Sequence, residues 1–185
     1  MISTVENRNV SSIKVDTLSP GDRTSESRAD QLADRIEGGA RLLAGFVQEI
    51  SDEEWSAPVS ATDKRTVGAI VQHVGTMYPI EIEAAKAIAA GNAVTDVTWE
   101  AVAELNAGHG AEFADVTKSE ALELLRRNSS EAADAVRKFT DEELDTAAPF
   151  SLSFGAPMTA QFVIEDHALR HAWHHLAKIR KRLGR

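Results

Sequence analysis

Hydrophobic residues recur every three or four positions in four long stretches of the chain, and polar residues fill the positions between them. This spacing is typical of amphipathic helices, whose apolar side chains lie on one face. The four predicted helices cover residues 27–50, 66–90, 117–139 and 160–183. Further capping signals predict short extra turns of helix after residues 51, 98 and 140. The connections are long enough for one or two crossovers, so the pattern predicts an all-α four-helix bundle.

Proline and glycine mark the places where this pattern is interrupted. Pro79 lies inside the second predicted helix, where it removes one backbone hydrogen bond and crowds the carbonyl of Gly75. We expect the helix to bend there rather than to end. Residues 147–158 contain two prolines and a glycine, and they are predicted to be the least helical part of the bundle.

The first residues of the chain differ in composition from the rest. Residues 1–27 are rich in Ser, Thr, Asn and Asp, with scattered single hydrophobic residues, which is typical of a mobile segment. The predicted organisation is therefore a mobile N-terminal extension at 1–27 followed by one helical bundle domain at 28–185. An ordered arm packed on a partner subunit is the alternative interpretation of the extension.

The composition excludes several classes of function. The chain has 185 residues and a formal net charge of −9, whereas nucleic-acid binding requires a basic surface, so no nucleic-acid partner is predicted. It contains no cysteine, which excludes disulfides, thiolate ligands and a thiol nucleophile, and which fits a cytoplasmic protein. No stretch has the length of a transmembrane helix, so no membrane partner is predicted.

Four of the six histidines lie within nine positions, in the sequence HALRHAWHH at residues 167–175. On a helix, residues four apart lie on one face, so His167, His171 and His175 form a row, and two such histidines can share a metal ion. His73 lies beside the apolar stripe of the second helix, where a neutral imidazole needs a hydrogen-bond partner or a metal. Each feature alone is more often a core or surface histidine, whereas their combination in one small bundle favours a metal site.

The other polar residues near these histidines have simpler interpretations. His109, which lies between two glycines, is predicted to be an exposed loop histidine, and His174 is predicted to lie on the flank of the last helix. Glu165 and Asp166 are interpreted as solvated charges, or alternatively as hydrogen-bond acceptors that fix the tautomer of a ligand histidine.

Two motifs resemble the DinB-like superfamily of four-helix-bundle metalloproteins. EEWSAP followed by TDKRTVGAIVQHV is similar to the family's run from a tryptophan turn into a histidine-bearing helix, and MTAQFVIEDHALRHAWHHLAKIRKRLG is similar to its final helix. The resemblance spans roughly residues 28–184. It implies that His73, His171 and His175 together hold a divalent metal, and that His167 lines the cavity or acts as a fallback ligand.

The resemblance also implies an open metal site and a choice of two reactions. Three neutral imidazoles leave coordination positions for water or substrate, and they suit zinc, nickel or iron, of which zinc is favoured here. The implied enzyme transfers a low-molecular-weight thiol onto a small-molecule substrate or hydrolyses one, with His167, Glu81 or Glu83 as candidate groups for proton transfer. A non-catalytic metal-binding or stress-response bundle and a structural bundle with incidental histidines are the alternatives. A homodimer is also expected from the resemblance.

Overall fold

The computed structural model describes residues 26–185, so residues 1–25 of the predicted extension lie outside the described residues. The helices are α1 (Arg28–Gln48), α2 (Asp52–Ser56), α3 (Val67–Ala89), α4 (Trp99–Glu112), α5 (Lys118–Val136), α6 (Asp141–Asp145), α7 (Ala160–Val163) and α8 (Arg170–Leu183). Two short antiparallel strands, β1 (Ala147–Pro149) and β2 (Pro157–Thr159), flank the 3-10 turn Ser151–Ser153. A π-helical segment, Ile164–Leu169, joins α7 directly to α8, and we call the continuous run of residues 160–183 the C-terminal helix. The all-α prediction is confirmed, with this small hairpin as the addition.

Polar side chains cap the helices at the positions that the sequence predicts. Thr66, Thr98 and Thr159 each accept a hydrogen bond from the backbone N–H three residues later. Thr117 and Thr140 form full capping boxes, in which a glutamate side chain also accepts from the backbone N–H of the capping residue. Each cap satisfies an N–H group that a helix leaves unpaired at its start. The predicted helix starts are therefore confirmed.

The four long helices form a ring around a core of buried aliphatic and alanine side chains. α5 packs against both α1 and α3, and the C-terminal helix also packs against both. Consecutive helices α1 and α3 are therefore diagonal to one another across the bundle, and so are α5 and the C-terminal helix. The connection at 49–66 and the connection at 137–159 are both crossovers, which agrees with the predicted one or two.

α3 continues through Pro79 because another residue replaces the hydrogen bond that this proline cannot donate. The carbonyl of Gly75, four residues earlier, accepts a hydrogen bond from the side-chain amide of Asn128 on α5, at 2.9 Å. A buried carbonyl left without a donor would cost free energy, and Asn128 removes that cost. The prediction that the helix does not end at Pro79 is confirmed.

Gly75 also allows a close approach between α3 and α5. A Cβ atom at this position would lie 3.1 Å from the backbone nitrogen of Leu125, and backbone cannot rotate away as a side chain can. We predict that Gly75→Ala lowers the free energy of unfolding by about 1–3 kcal/mol, measured by urea denaturation. The matched control is Gly45→Ala on the exposed face of α1, where a Cβ meets no neighbouring atom within 4 Å. Because alanine favours a helix, this control should gain roughly 0.5–1 kcal/mol. Equal gains at both positions would contradict the close approach.

Two helical features differ from the sequence prediction or are missing from it. The glycines at 108 and 110 predict a weakened helix, yet α4 continues through both of them to Glu112. The C-terminal helix contains the π segment 164–169, which side-chain periodicity does not indicate. Within residues 26–185, no helix combines the length and the apolar character needed to cross a membrane.

Candidate metal centre

Three histidines from two helices meet inside the bundle. His73 of α3 and His175 of α8 are buried, with exposed fractions of 4% and 6%, and His171 of α8 is partly buried. One ring nitrogen of each histidine lies within 4.8 Å of the corresponding nitrogens of the other two. The Nε2 atoms of His73 and His171 are 3.1 Å apart. The structure therefore brings the three predicted ligands together, and we call them the three-histidine cluster.

The cluster results from local helical geometry and from helix packing. His171 and His175 are four residues apart on α8, so they lie on the same face of that helix. On α3, His73 is flanked by the fully buried Ile70 and Val74, which places it on the face that points into the bundle. Because the C-terminal helix packs against α3, the two faces meet.

Glu81 orients one member of the cluster. Its Oε1 lies 2.7 Å from Nδ1 of His171, and its side chain is buried on α3, two turns beyond His73. An ionised carboxylate can only accept a hydrogen bond, so Nδ1 of His171 donates. In neutral His171 this leaves the lone pair on Nε2, the atom that faces His73. A carboxylate behind a histidine in this way is the usual arrangement for a metal ligand.

His109 holds a corresponding position behind His73. Its Nδ1 lies 3.1 Å from Nδ1 of His73, and its side chain is buried within α4. The prediction of an exposed loop histidine is therefore wrong. The reason is the continuation of α4 past the two glycines. Gly110 lies so close to Arg65 that a Cβ there would be 2.7 Å from Cγ of that arginine, and this packing holds α4 against the bundle.

The electrostatics of His73 and His175 favour neutral imidazoles with available lone pairs. The pKa of His73 is lowered to about 3, mainly by burial and additionally by the neighbouring His171. Burial also lowers the pKa of His175, with His171 and His73 as additional causes. In addition, Nδ1 of His175 is buried and has no hydrogen-bond partner among residues 26–185. Neutral imidazoles and an unpartnered buried nitrogen meet the requirements of a divalent cation, so these residues fit such an ion.

A cavity of about 590 Å³ reaches the cluster, and all three histidines line it. This volume lies within the range of small-molecule binding sites. α4 contributes the apolar side chains of Trp99, Val102 and Leu105 to the lining. The lining also includes basic and acidic side chains, namely Arg65, Arg170, Lys178, Asp96 and Asp166. A cation held by the cluster would therefore be accessible to a small molecule.

Comparison with known proteins identifies the family. The sequence profile of the DinB superfamily matches residues 35–179, which is most of the chain. The chain belongs to the DinB superfamily. The resemblance seen in the two histidine-bearing motifs is therefore confirmed, although no curated protein gives a significant sequence match.

A solved structure shows the same fold as this DinB protein. It is YfiT from Bacillus subtilis, described as a probable metal-dependent hydrolase with an unusual four-helix bundle topology. The two structures superimpose with a TM-score of 0.67 at 19% sequence identity, over 89% of this chain and 93% of that chain. The likeness establishes the fold.

His167 lines the same cavity but lies apart from the three-histidine cluster. It belongs to the π segment, and its ring packs edge-on against Phe150 with 5.3 Å between the ring centres. Burial lowers its pKa, so the imidazole is neutral at pH 7 and able to accept a proton. Of the two predicted positions for His167, the structure agrees with a cavity-lining residue. His174 is exposed on the flank of α8, as predicted.

The four acidic residues that the sequence analysis named have different environments in the structure. Glu165 lies 3.5 Å from Arg35, and Asp166 lies 3.1 Å from Arg170, so both are paired with arginines and neither orients a cluster histidine. Glu83 forms an exposed ion pair with Lys86 and is not among the residues that line the cavity, so the structure favours His167 and Glu81 among the three candidates for proton transfer. Glu81 does line the cavity, but it is bonded to His171. The sequence indicates this placement of Glu81, because it lies eight residues, or about two helical turns, after His73 on the same helix.

Proposed function

We propose that this DinB protein is a metal-dependent hydrolase of a small molecule, with His73, His171 and His175 as the metal ligands. The observation that carries the proposal is the position of their nitrogens, which converge at the wall of a cavity of about 590 Å³. His73, His171 and His175 would hold a divalent cation with positions left for water and substrate, and such a cation would supply Lewis acidity that lowers the pKa of a bound water towards about 7 and polarises a carbonyl group. The description of YfiT as a probable metal-dependent hydrolase supports the same activity.

Zinc is the cation that we propose for this site. Three neutral nitrogen donors suit it, and no cysteine or carboxylate belongs to the cluster that would favour a softer or harder ion. Nickel and ferrous iron bind the same donor set, and elemental analysis distinguishes them from zinc.

The residues around the cluster supply orientation and proton transfer. Glu81 holds the His171 ring in the tautomer that presents the Nε2 lone pair to His73. We assign His167 as the proton acceptor, because its neutral imidazole lines the same cavity without belonging to the cluster. The apolar side chains of α4 and the basic side chains of the lining would accommodate a small substrate with an apolar body and a polar or anionic group.

The cavity also favours an enzyme over a non-catalytic metal-binding bundle. A cation that is only stored or structural has its coordination sphere completed by protein groups. Here, in contrast, all three histidines border open space that is large enough for a substrate.

A hydrolysis screen with matched metal controls tests the proposal. The untagged protein is stripped with a chelator, reloaded with one equivalent of zinc, and assayed against esters, lactones and amides of small apolar acids. We expect hydrolysis by the zinc-loaded protein and none by the stripped protein or by the His73→Ala variant. In a parallel assay, low-molecular-weight thiols are offered together with electrophiles. Thiol conjugation without hydrolysis would show a transferase instead, and zinc binding without either reaction would show a non-catalytic site.

A further inference from the structure

His109 is a buried imidazole whose nearest polar partner is a proposed metal ligand. Its exposed fraction is 8%, and its Nδ1 lies 3.1 Å from Nδ1 of His73. It does not belong to the three-histidine cluster, and its ring packs against Phe113 on the same helix. His109 is therefore placed to affect His73 without binding the metal itself.

The contact between the two histidines links the tautomer of His73 to that of His109, and ligation of a metal through Nε2 of His73 requires its Nδ1 to be the donor. Two neutral imidazole nitrogens at hydrogen-bond distance share one hydrogen, so one donates and the other accepts. A neutral imidazole carries its single N–H on either Nδ1 or Nε2. If Nδ1 of His73 donates to Nδ1 of His109, the lone pair of His73 is on Nε2. That atom faces Nε2 of His171 at 3.1 Å, where two lone pairs would repel unless a cation lay between them, so this pair suits shared metal ligation rather than a hydrogen bond.

The same logic applies to His171, with a carboxylate as the acceptor. Glu81 accepts from Nδ1 of His171, and His109 is placed to accept from Nδ1 of His73. His73 and His171 then each point an N–H outward and a lone pair towards the centre of the cluster. Two different acceptors, one from α3 and one from α4, produce one common arrangement at the centre.

His109 also connects the cavity wall to the cluster. α4 carries Trp99, Val102 and Leu105 of the cavity lining, and His109 lies on the same helix. A second contact of α4 joins Asn106 to Arg65 at 3.3 Å. The His73–His109 contact therefore links the orientation of His73 to the helix that carries the apolar wall, in addition to the contacts of α4 with Arg65.

We propose that His109 is a positioning residue that fixes the tautomer and orientation of His73 and ties α4 to the metal centre. This inference rests on the proposed function, because it treats His73 as a metal ligand. Acceptors behind histidine ligands typically change metal affinity by about 10- to 100-fold when they are removed. The same range is expected for His109.

Three variants separate a hydrogen-bonding role from a packing role. His109→Leu keeps an apolar volume but has no acceptor. His109→Asn places an amide oxygen near the position of the imidazole Nδ1, whereas His109→Gln extends its amide to the position of Nε2. Only the asparagine variant retains an acceptor where Nδ1 of His73 needs one.

The experiment measures zinc affinity by competition with a chromogenic chelator, and the visible spectrum of the cobalt(II)-loaded protein, which depends on ligand geometry. We expect His109→Leu and His109→Gln to lose about 10- to 100-fold in zinc affinity and to show an altered cobalt spectrum. His109→Asn should stay within a few-fold of the wild type and keep its spectrum. Thermal melts of the metal-free proteins report any loss of packing, and the comparison of Asn with Gln remains decisive if the leucine variant does not fold.

The outcomes distinguish this inference from the proposed function. Equal affinity and equal spectra for the wild type and all three variants would overturn the positioning role while leaving the metal site intact. A loss of the same size in His109→Asn and His109→Gln would show that the ring only packs, which also overturns it. A wild-type protein that binds neither zinc nor cobalt would overturn both.

Discussion

We expect an alanine substitution at any one of His73, His171 and His175 to abolish stoichiometric zinc binding, whereas His174→Ala should leave it intact. The cluster has only three converging nitrogens, so the loss of one leaves two ligands, too few for a stable site. His174 is the matched control because it adjoins His175 in the chain but is exposed on the flank of α8. Isothermal titration of the chelator-stripped proteins measures the stoichiometry.

The control also tests the ligand register on α8. Circular dichroism should show the same helix content in all four variants, so that loss of zinc is not mistaken for loss of fold. If His174→Ala lost zinc and His175→Ala retained it, the assignment of the ligand pair would be wrong.

His167→Gln should lower kcat for hydrolysis by about 10²- to 10⁴-fold without changing the zinc content. The glutamine keeps a polar side chain of similar size but cannot accept the proton that a neutral imidazole accepts. Steady-state kinetics and elemental analysis of the same preparations measure both quantities. The control is His174→Gln, because His174 also lines the cavity but lies at its exposed side.

Two results would change the role assigned to His167. An unchanged kcat would mean that another group moves the proton, and Glu81, whose carboxylate contacts His171, is the next candidate. A loss of zinc from His167→Gln would instead make His167 a metal ligand, contrary to its position outside the cluster.

Local interactions explain which parts of the fold were predictable from the sequence. Caps such as Thr66 and Thr117 act on backbone N–H groups within three residues, so their effect is encoded in a short segment. The relation between His171 and His175 is equally local, because four residues of α-helix place them on one face. The approach of His73 to this pair depends on the packing of two helices that are distant in sequence. That approach was expected from the family resemblance, because local spacing does not encode it.

The parts that the sequence did not predict depend on contacts between distant segments. The two glycines of α4 favour a break, but packing of Gly110 against Arg65 holds the helix together and buries His109 beside His73. The link between Glu81 and His171 joins residues that are 90 positions apart. No pattern in residues 164–169 indicates the π segment of the C-terminal helix.

The most direct test of the account is elemental analysis of the wild-type protein, purified without a tag and without a nickel column, beside the His73→Ala variant. We expect about one divalent metal per chain in the wild type, with zinc as the element, and none in the variant. No metal in either protein, together with no uptake of added zinc, nickel or iron, would contradict it and leave the three histidines as ordinary residues of a helical bundle.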